Sequence, residues 1–532
     1  MKVLLAFIFI LFNSLLIAQK DYPIMWGDLE RSPGALLEIL PKTTTDFYSL
    51  RWTGGGNFGT YRIAEHENLT FFQQKRIKLV AETGIANFET AYYFGNQLIV
   101  FLSDKSNGQM TLFIQIFNEN LDADGQTELI ASYPNNKIGA QPNFKISMSQ
   151  NKSYLGIVWE VPGKKAVSDI YGYKILDTKF KEIQSGEYSM PFDGNMSTIN
   201  EHHISNSGDY LLSVTEHNKP NDRLFGRVFD NFKALHVYKI KNNELSEFSL
   251  DVEGFRIDDM QLNSNDSSIC TLTGLYGKGN RQGIEGVFII KFDAKRDSVV
   301  SNGLIPFDKE IVVENWFSNN LFDRQTTTGN NLNTNSQINQ NNQYYNYRLR
   351  DIFLLADGSI IGSMEQYFMY RRVNYDNRTG MSSNITYYYY DDIIAFKIGK
   401  SGSFDWQKRI PKSQVSINDG GPFSSYCSFT DGNSISFIFN DNLRNYNEEG
   451  LFKQDLKRVN SFNLSKRKNV AAITNLSIEN GTLDRKMIFS RQDLKSIVVP
   501  KMFKVDFANK EILMYSILGS KERFGVLNFK VK

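Results

Sequence analysis

Cysteine, proline and histidine are scarce in this chain, at 2, 12 and 5 of 532 residues. Two cysteines cannot staple a fold of this length. Cys270 and Cys427 fall in strand-like segments of different, non-adjacent repeats, so buried free thiols are expected rather than a disulfide. The histidines are His66, His202, His203, His217 and His236, and only Glu201-His202-His203 is suggestive of a metal site. No His-x-x-x-His helix accompanies it, so metal binding is not expected. An excess of one charge is missing too: 60 Lys and Arg stand against 58 Asp and Glu, a net charge of +2. That balance lacks the basic footprint of a nucleic-acid-binding protein. No Gly-rich phosphate loop precedes a helix, and no cofactor is indicated. The adjacent cysteines of quinone dehydrogenases, the Asp-box turns of sialidases and the repeated Trp-Asp of WD repeats are also absent.

One apolar run is present, and only at the start. Met1-Lys2 leads into Val3–Ile17, interrupted by Asn13-Ser14 and followed by Ala18-Gln19. A positive residue, a short apolar stretch and a small residue describe an export signal spanning 1–18, too short for a bilayer span. No later stretch is apolar enough to cross a membrane. A periplasmic or secreted protein without a transmembrane span is therefore expected.

What the chain has in abundance is aromatic strand. Tyr and Phe number 26 and 40, and both favour pleated, half-buried surfaces. One strand-turn-strand phrase recurs eight times, at 59–69, 111–121, 170–180, 234–245, 285–297, 392–404, 475–483 and 524–532. Its apolar anchors are Ile63, Ile116, Ile175, Ile240, Phe292, Ile398, Ile478 and Val531, several of them roughly 53 residues apart. An all-strand repeat of that length predicts an eight-bladed β-propeller occupying 19–532 as one domain. In each blade, counted from the axis outward, the phrase would be the third strand, its turn and the start of the fourth. The last copy has no fourth strand. The segment ALLEILPK (35–42) resembles the outer-strand ending RIPK (409–412) and is expected to complete it. Seven blades with a separate terminal sheet is the alternative.

Extra length concentrates at 216–233, 308–346, 366–390 and 441–469. The second includes the Asn/Gln/Thr-rich stretch 326–343, whose composition cannot build a core. These insertions lie between strands two and three of a blade or between blades, connections that emerge on one face of a propeller. Insertions gathered there mark a binding face. Arg371, Arg372, Tyr375, Arg378, Arg444 and Tyr446 are the candidate contacts, because Tyr and Arg combine area with fixed donors. Tyr387–Tyr390 can equally enter strand three and pack. Glu365, Asp391 and Asp392 form a rival set, carboxylates able to serve as general acid and base. The run Asn120–Gly125 looks like half a calcium loop, but Ala131 stands where the bidentate Glu belongs, so a polar hairpin turn is expected.

The stretches DGSIIGSMEQY (357–367), YYYYDDIIAFKIGKSGSFDWQKRIPKSQ (387–414) and FIFNDN (437–442) resemble a group of exported, propeller-like proteins of Bacteroidetes. The resemblance covers roughly the last third of the chain and implies an envelope or secreted propeller with no assigned reaction. Those proteins often carry a C-terminal sorting domain. A blade is expected in its place here, which favours the periplasm. Taken together, the expected function is a non-catalytic binding or scaffold propeller engaging an envelope protein or glycan. A polysaccharide hydrolase or lyase is the alternative.

Overall fold

A computed structural model describes residues 22–530, apart from 55–58, 82–83, 124–126, 136–140, 162–167, 194–195, 220–231, 242, 253, 266–267, 279–283, 309–346, 376–381, 463 and 466. The export-signal segment 1–18, Arg378, Val531, the Asn/Gln/Thr-rich stretch and the last two residues of the calcium-like run, Asp124 and Gly125, therefore lie outside the described residues. Helix is confined, among the described residues, to Arg491–Leu494 and two 3-10 turns. No described helix is long and apolar enough to cross a membrane.

Antiparallel strands join into eight sheets of four or more strands. Seven run consecutively along the chain, as blades 1 to 7: 35–76, 87–134, 144–193, 197–251, 255–306, 347–410 and 426–490. The eighth combines 497–528 with Ile24–Trp26. Innermost strands touch between blades 1 and 2, 3 and 4, 4 and 5, and 5 and 6, which orients these blades the same way about an axis. The protein is an eight-bladed β-propeller.

Its hydrophobic core is divided accordingly. Eight buried clusters occur among the described residues, one at each blade–blade junction. Period-two alternation explains this: each strand offers one set of apolar side chains to each neighbouring blade. The anchors Ile63, Ile175, Ile240, Phe292 and Ile398 are all essentially inaccessible to solvent. Cys270 and Cys427 are free, buried and in blades 5 and 7.

Ring closure occurs, but not through the expected segment. Residues Ala35–Pro41 pair with Phe47–Thr53 as the innermost strand of blade 1. The strand that completes blade 8 is Ile24–Trp26, antiparallel to Lys521–Asn528, with Glu30–Arg31 adding a second short contact. Trp26 lies opposite Gly525, where any Cβ would come within 2.5 Å of the indole. Across the closing junction, Arg51 of blade 1 forms a buried ion pair with Glu522 of blade 8 at 2.8 Å. Tyr515 donates to the same carboxylate at 2.9 Å.

Candidate functional site

The strand order puts the strand ends that flank all four insertions on one face. Segment 216–233 joins strands two and three of blade 4, 308–346 joins blades 5 and 6, and 366–390 and 441–469 join strands two and three of blades 6 and 7. Over blades 6 and 7 the described parts merge into one platform.

Blade 6 contributes a ribbon rather than a loop. Its second and third strands, Ile360–Tyr375 and Ser382–Ile398, stay paired through the insertion, from Tyr367↔Tyr390 to Tyr375↔Ser382. A bulge between Glu365 and Tyr367 re-aims the strand where it leaves the blade. Nine further residues at ~3.3 Å each carry the ribbon roughly 25–30 Å beyond it. Tyr389 and Tyr390 are buried, so this part of the tyrosine run enters strand three and packs. Arg348 stacks over Tyr367 at 4.1 Å.

Directly opposed residues share a ribbon face and successive ones do not. Met369, Arg371 and Tyr388 therefore lie on one side, and Phe368, Arg372 and Tyr389 on the other. Arg371 and Arg372 are both exposed, yet they serve opposite surfaces. Tyr375 ends the second strand.

The connection between blades 6 and 7, residues 411–425, carries no insertion signal in the sequence but is the centre of the platform. Val415–Ile417 adds a strand beside Tyr387–Tyr389. Lys412 is fully buried; its ammonium donates to Glu365 at 2.8 Å, to the Tyr390 carbonyl at 2.8 Å and to Gln414 at 3.0 Å. Gln414 in turn donates to the Asn440 carbonyl of blade 7 at 2.8 Å. From blade 8, Lys501 donates to the Gly421 carbonyl at 2.9 Å and sits over Tyr390 at 4.0 Å. Burial lowers the Lys501 pKa to about 8.

Blade 7's insertion locks onto that connection. Phe462 N–H donates to the Ser413 carbonyl at 2.8 Å, and the Ser413 and Ser461 hydroxyls bond at 2.8 Å. Asn445, wholly buried, donates to Asp441 and to the Asn460 carbonyl. Arg444 is exposed. Tyr446 is not a contact residue: it is 3% exposed, donates to Asp441 at 2.6 Å and accepts from Arg485 at 3.0 Å. Arg485 also pairs with Asp441 and lies over Phe452, so Tyr446 closes a buried ion-pair network.

The three candidate carboxylates are all bound by the 411–425 connection beneath the platform surface, Glu365 and Asp392 by Lys412 and Asp391 by Gln414. Glu365 is completely buried and accepts from Lys412, from Arg350 at 2.5 Å and from Ser425 at 2.7 Å. Burial alone would raise its pKa; Lys412 and Arg350 outweigh burial and hold it below the usual range. Asp392 accepts from Arg409 at 2.5 Å and from the Lys412 N–H at 3.0 Å. Asp391 differs: burial, with Asp392 beside it, pushes its carboxyl up to about 7. Its oxygen accepts from the Gln414 N–H at 3.2 Å. Asp391 and Asp392 lie inside strand three rather than ahead of it.

Outside the platform, Glu201, His202 and His203 lie on the innermost strand of blade 4 and take separate partners: the Leu262 N–H, Tyr210 at 2.6 Å and Ser264 at 2.9 Å. No group of metal-ligating side chains occurs among the described residues.

No protein-family model and no curated protein matches the chain. Among solved structures it is similar to the WD40 domain of SCAP from fission yeast, at 10% identity over 97% of this chain and 96% of that one, with a TM-score of 0.38. It is also similar to Penicillium chrysogenum alpha-L-arabinanase complexed with arabinobiose, at 10% identity over 65% and 93%, with a TM-score of 0.29. A third is a thermostable family-43 glycoside hydrolase, at 11% identity over 52% and 95%, with a TM-score of 0.25. Likeness at this level bears on neither binding nor catalysis.

Proposed function

We propose that this propeller is a non-catalytic binding module of the bacterial envelope, periplasmic or secreted, which captures a macromolecular partner on its loop-rich face. The observation that carries the reading is the fusion of the blade 6 ribbon, the 411–425 connection and the 441–469 insertion through hydrogen bonds. A surface fixed in this way loses little entropy on association. Met369, Ile417, Leu443, Leu451 and Leu464 are exposed on these same segments, alongside Arg371 and Arg444. Apolar side chains interspersed with Arg and Tyr favour a protein partner over a glycan. Immobilised wild-type protein should retain a specific component of an envelope extract, and Arg371→Glu with Arg444→Glu should release it without lowering the melting temperature. Equal retention by the double variant would sink the proposal.

The raised Asp391 pKa supports a second reading, a polysaccharide hydrolase or lyase, since a general acid must hold its proton near neutral pH. It requires the Glu365 and Asp392 ion pairs to open. Under that reading Asp391→Asn abolishes turnover of a polysaccharide substrate; under the binding reading it leaves capture intact.

A further inference from the structure

The blade 6 ribbon has one covered edge and one open edge. On its outer side, Val415–Ile417 pairs with Tyr387–Tyr389. Just beyond, the Thr386 N–H donates to the Asn418 side chain at 2.7 Å and the Asn418 N–H to the Thr386 carbonyl at 2.8 Å. On the inner side, the innermost strand of blade 6 begins at Tyr347, opposite Gln366. Past that point Tyr367–Tyr375 pairs with Ser382–Tyr390 alone, and no backbone group on its inner side bonds to any described residue.

Proteins commonly blunt such an edge with Lys, Pro or a bulge. Tyr367–Tyr375 contains neither lysine nor proline, and its register runs without a shift once past the bulge between Glu365 and Tyr367. In an antiparallel ribbon about half of the residues turn both N–H and C=O away from their partner strand. Those groups form a ladder ready for one more strand, held in place by the pairing already made.

Charge selects the kind of strand. Between Tyr367 and Tyr375, and between Ser382 and Tyr390, Arg371 and Arg372 are the only charged residues. On the Tyr367 side of the ribbon, Arg348 stacks over Tyr367 at 4.1 Å and Lys501 over Tyr390 at 4.0 Å, and the two rings meet at 4.9 Å. Arg371 lies further along the same side, and both Arg348 and Arg371 are exposed. A second copy of the ribbon would set these cations against like charges. The residues that lead into Tyr347, 326–346, contain no carboxylate to answer them.

We propose that the free edge of Tyr367–Tyr375 takes an extended acidic peptide as an added β-strand, with its carboxylates on the side of Arg348 and Arg371. This mode of contact deepens the binding reading above and rests on it. Peptides matched to the edge in length, alternating Glu or Asp with Val, Ile or Thr, are to be titrated into the full-length protein by fluorescence anisotropy. At least one should bind with a Kd below about 100 µM, and its lysine analogue should not. N-methylation supplies the diagnostic, because only every second N–H of an added strand faces the edge. Methylating one alternating set of residues should abolish binding, and methylating the other should leave it. Arg371→Glu should weaken binding roughly tenfold or more. Failure of the whole set to bind, equal effects of the two methylated sets, binding only after removal of 326–343, or dimerisation that competes with the peptide in sedimentation velocity would each overturn the assignment. Retention of an envelope component by protein that binds no peptide would refute strand addition and leave partner capture standing. Peptide binding without such retention would support strand addition and refute capture.

Discussion

Glu365 and Lys412 set the energetics beneath the platform. Both side chains are wholly buried, and a buried ion pair is costly to break from one side because the remaining charge has no solvent. Glu365→Gln should therefore lower unfolding free energy by about 3–5 kcal/mol in a urea titration, and Glu365→Met with Lys412→Met should recover much of that loss. Asp391 behaves in the opposite sense. Its folded pKa of about 7 exceeds the ordinary carboxylate value, so between about pH 4 and 7 the folded state keeps a proton that the unfolded chain releases. Stability consequently falls as pH rises through that window and stays reduced above it. Asp391→Asn should stabilise the protein by roughly 1–3 kcal/mol at pH 8 and not at pH 4. Glu201 is also raised to about 7 by burial, so the variant should flatten the pH dependence of the melting temperature only in part. The clustering of Glu365 with Asp391 and Asp392 was legible in sequence, because all three flank the same hairpin. Their environment was not: Arg350 reaches Glu365 from the neighbouring innermost strand, and Lys412 and Ser425 reach it from opposite ends of the 411–425 connection. Tyr446 was misread for the same reason, since Arg485, its partner, lies on the next strand but one.

Among the elements, the blade 6 ribbon departs most from what local pattern implies. Tyr387–Tyr390 form an unbroken aromatic run, which hides the alternation that identifies a strand, so paired strands read as an insertion. Pairing then separates two arginines that adjacency in sequence had grouped. Arg371→Glu should reduce partner capture by about tenfold or more, as loss of an interface arginine commonly does, whereas Arg372→Glu should change it little. Retention measured on an envelope-extract affinity surface distinguishes them, and equal effects would show that the ribbon face is not the contact. The 411–425 connection escaped notice because it is short and lacks the charge or low complexity of the four insertions. Its Lys412-Ser413-Gln414 run after Pro411 was the available signal.

At the level of the whole molecule, repeat spacing revealed the number of blades because the third strands of blades 1 to 6 each keep an apolar anchor. The closing strand was harder to find. Ile24–Trp26 is three residues long, too short to show alternation, while Ala35–Pro41 has the alternation and terminal proline of an outer strand yet sits innermost. The Arg51–Glu522 pair locks the closure. Arg51→Met should cost about 3–5 kcal/mol, and adding Glu522→Leu should restore most of it; additive losses in chemical denaturation would refute this role.

The pairing of Met25 with Val526 also has a consequence in time. A chain synthesised or threaded from its first residue must carry the Ile24–Trp26 edge unpartnered until almost all the rest has followed. The seven consecutive blades can assemble as they emerge, each on the one before, but the last sheet waits for both ends. Completion of the fold is thus a late, all-or-nothing event, and until then an exposed strand edge remains open to capture by a holding chaperone or by another copy of the chain.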